Sequence, residues 1–516
     1  MSVMPTIGRD EAGRFLVVDG KPFLALGGEL HNSSGSSLKY MDEFVWPALR
    51  GLGGNFYLTP AYWECLEPEK GKYDFTLIDG VIDQARREGV RLGLLWFGIW
   101  KNGASEYVPL WLKQDHEAYF LAKDENGIPI KTISPFCEAV VELDRKAFVK
   151  LMEHLEEVDG EEHTVILIQV ENEIGIWGHA RDFSDAANEK YELGVPEDLT
   201  ALTGKSGSWK EAFGSRACDA FMTYYYAKDL EKIASSGKAA YNLPMFMNCV
   251  AGTADMGFSP AGGPDAHAHD LWIPLAPSID FFSPDIYVPD FKAVASRFDH
   301  DDNPLFIPET GCGPDCPAKV LYAAGEHNLI GFNPFGIEQS FATLSDLDYA
   351  SQGVGAMNQP LCGPNLARAY SFLQILWPEI RKAHAAGRIH GFMKGPQDFM
   401  GGLEMGGYSF RITYNAGSRG TIPGMPPEAL PQSAPAPSGG FLMQNEDGSF
   451  LLLGTNISLA PGEVKGGQGT VFMQDKHELL LENGKLVEGR ILNGDERNVL
   501  GIGMTPQAVW FRLDRH

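Results

Sequence analysis

Short apolar runs recur along the first two thirds of the chain, each followed by residues whose apolar positions fall at helical spacing. The runs are Phe23–Gly27, Asn55–Leu58, Leu92–Phe97, Val165–Val170, Met245–Val250, Phe281–Tyr287, Leu305–Pro308 and Leu329–Phe335. Runs this short and apolar on both faces have the texture of strands buried in a parallel sheet. Between them, Leu77–Glu88, Arg145–Glu157 and Ala217–Ser235 carry the spacing of amphipathic helices. Eight strand-then-helix units over roughly 320 residues predict a (β/α)8 TIM barrel with enlarged loops. A doubly wound open sheet is the competing α/β arrangement, but no G-x-G-x-x-G follows the first strand. Ahead of the barrel, Phe15–Leu26 reads as two short strands around an Asp19-Gly20 turn. After a helix over Leu366–Ala386 the period changes to two, in Tyr408–Tyr414, Phe450–Asn456 and Val509–Leu513. Residues 1–390 are thus expected to form the barrel with its N-terminal hairpin, and 391–516 a C-terminal antiparallel β-sandwich. The Pro/Gly-rich stretch Gly417–Gly440 reads as an exposed loop.

Charge narrows the partners. With 42 basic and 68 acidic residues the net charge is −26, a surface that repels nucleic acid and anionic membranes and tolerates a neutral substrate. No apolar run approaches the roughly 18 residues of a membrane span. The opening MSVMPTIGRDEAGRF has no apolar leader core, so the expected location is cytoplasmic as the sequence stands, or periplasmic if a leader was removed. Seven cysteines, an odd number scattered through a long chain, read as free thiols. Cys312 and Cys316 make a lone C-x3-C that no second pair completes, so no metal and no cofactor are expected. A homodimer is compatible with a barrel carrying an accessory β domain.

The chemistry concentrates where the fourth run enters IQVENEIG, residues 168–175. Driving a buried strand into two carboxylates is costly unless they are paired or used. In such a barrel, functional groups sit at the C-terminal ends of the strands. Asn172 and Glu173 end the fourth run and Glu309 ends the seventh, on roughly opposite sides of the mouth. Two facing carboxyl groups suit glycoside hydrolysis, with retention or inversion decided by their separation. Glu171, alternating away from Asn172, reads as a structural partner to a basic residue. Other polar groups follow runs in the same way: Glu29 and His31 after the first, Asn248 in the fifth, Asp285 and Tyr287 at the end of the sixth. Sugars stack on aromatic rings, and Trp96 and Trp177 flank the acidic strand ends best. Trp96, Trp177, His31 and Asn248 are therefore expected to contact substrate.

The motif QVENEIG at 169–175 resembles Q-V-E-N-E-Y/F-G of family 35 glycoside hydrolases, β-galactosidases of clan A. WECLEPEKGKYDF at 63–75 resembles the clan pattern W-E-x-x-E-P-x-x-G-x-F/Y-D-F. The resemblance spans roughly residues 20–390, and the C-terminal part is similar to the β-sandwich of bacterial relatives. It implies that Glu173 is the general acid/base and Glu309, in FIPET, the nucleophile. It further implies that Asn172 binds the sugar 2-hydroxyl and that Tyr287, in PDIY, holds the nucleophile. Two loops depart from the family: GGELHNSS at 27–34 replaces S-G-S-x-H-Y-x-R, and LWFGIWKNG at 95–103 replaces A-E-W-x-x-G-G. These departures point to a bacterial branch that includes xyloglucan side-chain β-galactosidases. The implied activity is a retaining exo-β-galactosidase acting on oligosaccharide or polysaccharide-derived substrate through a covalent glycosyl-enzyme. A retaining β-glucosidase or transglycosylase on the same barrel is the alternative. A non-catalytic carbohydrate-binding protein is the distant one, since both Glu residues are present.

Overall fold

The computed structural model describes residues 3–251, 260–341, 362–414, 437–462, 470–493 and 500–515. Eight parallel strands form the barrel: β1 (Ala25–Glu29), β2 (Phe56–Tyr62), β3 (Arg91–Lys101), β4 (Val165–Asn172), β5 (Met245–Val250), β6 (Phe281–Ile286), β7 (Leu305–Ile307, resumed at Glu309–Thr310) and β8 (Leu329–Phe332). Each pairs with the next and β8 returns to β1, so the sheet closes without an edge. Pro308, which has no N–H to donate, divides β7. The segment before it pairs with β8 and the segment after it with β6.

Side-chain alternation along the strands builds two cores. Ala25, Phe56, Leu58, Leu95, Phe97, Leu167, Phe246, Phe281, Phe306 and Ile330 fill the barrel interior. Leu26, Leu94, Trp96, Ile168, Val170 and Met247 face outward to the helices. Four of these helices are α1 (Thr76–Glu88), α2 (Glu138–Asp159), α3 (Ala217–Ala240) and α4 (Cys316–Glu326). The N-terminal hairpin turns at Asp19 and Gly20, with φ of 51° and 73°, the left-handed pair of a type I′ turn. Its Leu16 and Val18 join the interior cluster, so the hairpin packs against the barrel interior.

Beyond α5 (Gly363–Ala385) two antiparallel sheets face each other, one of six strands and one of four. Phe392, Leu442, Phe450, Leu452, Val509 and Phe511 from one sheet pack with Phe410, Ile412 and Leu459 from the other. Phe441, Met443, Leu451 and Leu453 point the opposite way, into the core that also holds the barrel helices. Strand Phe450–Thr455 is therefore buried on both faces, which is why its sequence, FLLLGT, does not alternate cleanly. Most of the expected Gly417–Gly440 loop lies outside the described residues. Its last two residues, Gly439 and Gly440, instead open a sheet strand over Gly439–Gln444. All seven cysteines are free thiols. Among the described residues, no helix is long and apolar enough to cross a membrane.

Candidate active site

The strand β4 breaks its alternation where the acids begin. Glu171 and Glu173 have φ of 61° and 45°, the left-handed region that non-glycine residues seldom occupy, and such strain gathers at functional sites. The turn sends Asn172 and Glu173 into the barrel mouth and Glu171 away from it. Carboxylate oxygens of Glu173, Asp285 and Glu309 lie within 4.8 Å of one another, all buried.

Asn248 joins this group. Its Oδ1 accepts from Glu173 N at 3.0 Å, and its Nδ2 faces Asp285 Oδ2 at 2.8 Å and Glu309 Oε1 at 3.2 Å. Asn172 Nδ2 donates to the same Glu309 oxygen at 3.3 Å, and Tyr287 Oη donates to Glu309 Oε2 at 2.8 Å. Glu309 thus has a donor on each oxygen. Glu173 receives far less support for its charged form. Burial first, and the Glu309 charge second, push its carboxyl up to about 8. The same two causes, in the same order, raise Asp285 well above its ordinary range. Three carboxylates this close cannot all carry charge unaided, which is the physical cause of the raised Glu173 and Asp285 carboxyls.

Lys101 is the basic group of the cluster, with Nζ 2.8 Å from Asn172 Oδ1. It orients the amide so that Nδ2 faces the nucleophile position. The residue reaches that place through an irregularity: opposite β4, the register of β3 jumps from Trp96 at Val170 to Lys101 at Asn172. The intervening bulge is held by Glu171, whose carboxylate accepts from Ile99 N at 3.1 Å and Trp100 N at 2.6 Å. Gly98 is required there, because a Cβ would sit 2.5 Å from Glu171 Oε1 and 2.6 Å from Asp144 Oδ1. The expected basic partner of Glu171 is therefore replaced by backbone amides and by Asp144. Burial, then the Asp144 charge, raises Glu171 well above its usual range, so the pair shares a proton.

Trp177 and His31 both adjoin the site. Trp177 Nε1 donates to the Glu173 carbonyl at 3.1 Å, and its ring occupies the space where Gly103 carries no Cβ. His31 N donates to Glu338 Oε1 at 3.0 Å, and its ring meets Phe335 edge-on. Trp96 is not in the mouth. Its outward parity on β3 places it between the barrel and α2, fully buried, with Nε1 on Asp144 Oδ1 at 2.8 Å. It is a core residue, and the expected sugar contact is corrected accordingly. Trp96→Phe should leave kcat/KM unchanged and lower unfolding stability by about 1–3 kcal/mol, the cost of orphaning a buried polar group; a chemical-denaturation curve beside a steady-state assay checks both.

Lys101 and Glu338 were not legible as site residues. Lys101 closes the eleven-residue strand Arg91–Lys101, after nine residues without a charge, and reads as a loop charge unless the bulge is known. Glu338 comes from the short helix Ile337–Gln339 after β8, and no pattern in the sequence marks it.

Residues 56–229 match the family model described as Beta-galactosidase (Glyco_hydro_42), and 366–502 match a domain of unknown function, DUF5597. The chain is 26% identical over 225 residues to Beta-galactosidase 14 of Arabidopsis thaliana, covering 40% of this chain and 23% of that protein. It is 28% identical over 186 residues to an exo-beta-D-glucosaminidase of Thermococcus kodakarensis, covering 32% and 22%. The chain thus spans under a quarter of the length of these curated relatives. Among solved structures, the cold-adapted β-galactosidase of Rahnella sp. R3 aligns with a TM-score of 0.47 and 16% identity, covering 71% of this chain and 57% of that one. The family model that falls on the barrel is that of family 42, not family 35. Over its barrel, the chain resembles the β-galactosidases of clan A glycoside hydrolases.

Proposed function

We propose that the chain is a retaining, exo-acting β-galactosidase that removes terminal β-D-galactosyl residues from oligosaccharides. In this reading residues 1–390 carry the chemistry and 391–516 are an accessory β domain. The observation that carries it is the pairing of Glu173 and Glu309, two buried carboxylates within 4.8 Å and in unlike environments. Retaining glycosidases hold their carboxyl groups about 5–5.5 Å apart, whereas inverting ones leave room for a water.

Glu309, oriented by Asn172, Asn248 and Tyr287, attacks the anomeric carbon while Glu173 protonates the departing oxygen. The glycosyl ester that forms is then hydrolysed by a water that Glu173 deprotonates. Asn172 holds the sugar 2-hydroxyl, with Lys101 fixing its amide.

Lys101 also bears on the substrate. An ammonium at C2 would lie close to Asn172 and hence to the Lys101 ammonium. There it would meet charges of opposite sign, the Lys101 ammonium that repels it and the Glu309 carboxylate that accepts from the same Asn172 amide and attracts it.

The test compares aryl β-galactoside, β-glucoside and 2-amino-2-deoxy-β-glycoside on wild type and Lys101→Met, with proton NMR of the first-formed anomer. Wild type should prefer the galactoside and release the β-anomer first. Lys101→Met, which removes the repelling charge, should raise turnover of the amino sugar relative to the galactoside. A glucoside preference would move the substrate to the β-glucosidase or transglycosylase reading with the mechanism intact. An α-anomer formed first would sink retention.

A further inference from the structure

A fourth carboxylate in the mouth, Glu29, has no part in the chemistry above. Glu29 ends β1 on the inward parity, two residues beyond Gly27 and four beyond Ala25, which packs in the barrel interior. Its neighbours by charge are Glu309, Lys101, Glu173 and Glu338, so it faces the mouth. It is fully buried, yet among the described residues neither carboxylate oxygen has a hydrogen-bond partner. Beside it, Glu338 uses one oxygen for His31 N at 3.0 Å and Ser34 Oγ at 2.7 Å, leaving Oε2 without a partner.

A buried carboxyl with two unused oxygens is among the most costly features a fold can hold, and native proteins seldom keep one without a use. Burial chiefly, and the Glu309 charge next, raise the Glu29 carboxyl well above its ordinary range. The cost disappears when hydrogen-bond donors enter the mouth. A neutral sugar brings hydroxyls whose donation favours the charged form, so the carboxyl gives its proton to solvent as the sugar enters and both oxygens can accept from two hydroxyls at once. Asn172 is committed to the nucleophile and to the 2-position, and Asp285 and Glu309 already face an amide or hydroxyl donor through one or both oxygens.

Resting on the glycosidase reading, we propose that Glu29 is the specificity-determining residue of the sugar subsite, accepting hydrogen bonds from two ring hydroxyls other than the 2-hydroxyl. Glu338 stands behind it and fixes the His31 backbone that leads away from it. Glu29 makes no bond to the reacting atoms and moves no proton to or from them; it reads the sugar.

The experiment is a matched series. Wild type and Glu29→Gln are assayed on an aryl β-glycoside of the sugar that wild type turns over, and on its 3-, 4- and 6-deoxy analogues. Substrate hydroxyls lost from a site built to bind them cost strongly, because the buried acceptor is then left unpaired. Wild type should therefore lose at least about 10²-fold in kcat/KM on the analogue that lacks a hydroxyl held by Glu29. Glu29→Gln should lose about 10²-fold on the parent and under about 5-fold on that same analogue. Its melting temperature should match or exceed that of wild type, since an unpaired buried acid has been removed. An equal loss on the parent and every analogue would overturn the proposal and make Glu29 a positioning group; unchanged rates throughout would overturn it and leave Glu29 with no part in the subsite. If wild type turns over no aryl β-glycoside, the underlying glycosidase reading fails, and the assignment of Glu29 fails with it.

Discussion

Glu309→Gly loses on the order of 10⁴-fold or more in kcat on an aryl β-galactoside, and added azide restores turnover with release of an α-galactosyl azide. The magnitude follows from what the side chain does: removing a nucleophile that acts together with an acid costs about as much as removing the whole unit. Rescue follows from the surroundings. Asn172 Nδ2, Asn248 Nδ2 and Tyr287 Oη converge on the two Glu309 oxygens at 3.3, 3.2 and 2.8 Å, and all three remain after the substitution. They line an anion-sized space against the α face of the sugar. Azide attacking from there inverts a β-glycoside once, so its product is the α-azide. The stereochemistry also separates the two acids. A β-azide would mean that azide had intercepted a glycosyl-enzyme formed elsewhere, which would exchange the roles of Glu309 and Glu173. An unaffected variant would remove Glu309 from the mechanism altogether.

What could be read from the sequence was set by periodicity. All eight barrel strands fall on the apolar runs, because a strand buried on both faces announces itself by composition. Asp19-Gly20 was legible because only residues tolerant of positive φ fit a two-residue hairpin turn. Glu173 and Glu309 were legible because each ends such a run, and Asn172 and Tyr287 gained roles only through the resemblance. The failures on β3 and β4 come from parity along a strand, which holds until a bulge resets it. Trp96 lies one residue before Phe97, which does point into the barrel, so the aromatic expected in the mouth was on the wrong face. The bulge over Gly98–Trp100 then hid Lys101 and turned Glu171 from an ion-pair partner into a cap for backbone amides. Asn248 looked like one strand-end amide among several, and only its contacts with Glu173, Asp285 and Glu309 mark it as the hub of the cluster.

Glu173→Gln separates the two halves of the reaction through the leaving group and through pH. A general acid contributes about 10²–10⁴-fold, and that contribution is needed only when the departing oxygen is a poor leaving group. The variant should lose about 10³-fold or more in kcat/KM on an alkyl or disaccharide β-galactoside. On a dinitrophenyl galactoside, which departs without a proton, it should lose little. Azide should then speed its turnover by attacking the accumulated glycosyl-enzyme, yielding the β-azide, the opposite anomer from that of Glu309→Gly. The pH dependence has a definite sign. The acid works protonated. An ordinary glutamate with a pKa near 4.3 would be protonated in less than about 1% of molecules at pH 7. Burial and the Glu309 charge lift Glu173 to about 8, so wild-type kcat/KM holds through neutrality and falls as pH rises through about 8. In Glu173→Gln that alkaline limb should vanish, and in Glu309→Gly it should shift to lower pH, because one of the two causes of the raised value has been removed. The second shift has a mechanistic consequence. When Glu309 becomes an ester its charge disappears, the Glu173 proton becomes easier to lose, and the group that was an acid in the first step is ready to act as a base in the second. An alkaline limb that stayed in place in both variants would assign that titration to another group and leave Glu173 without its role.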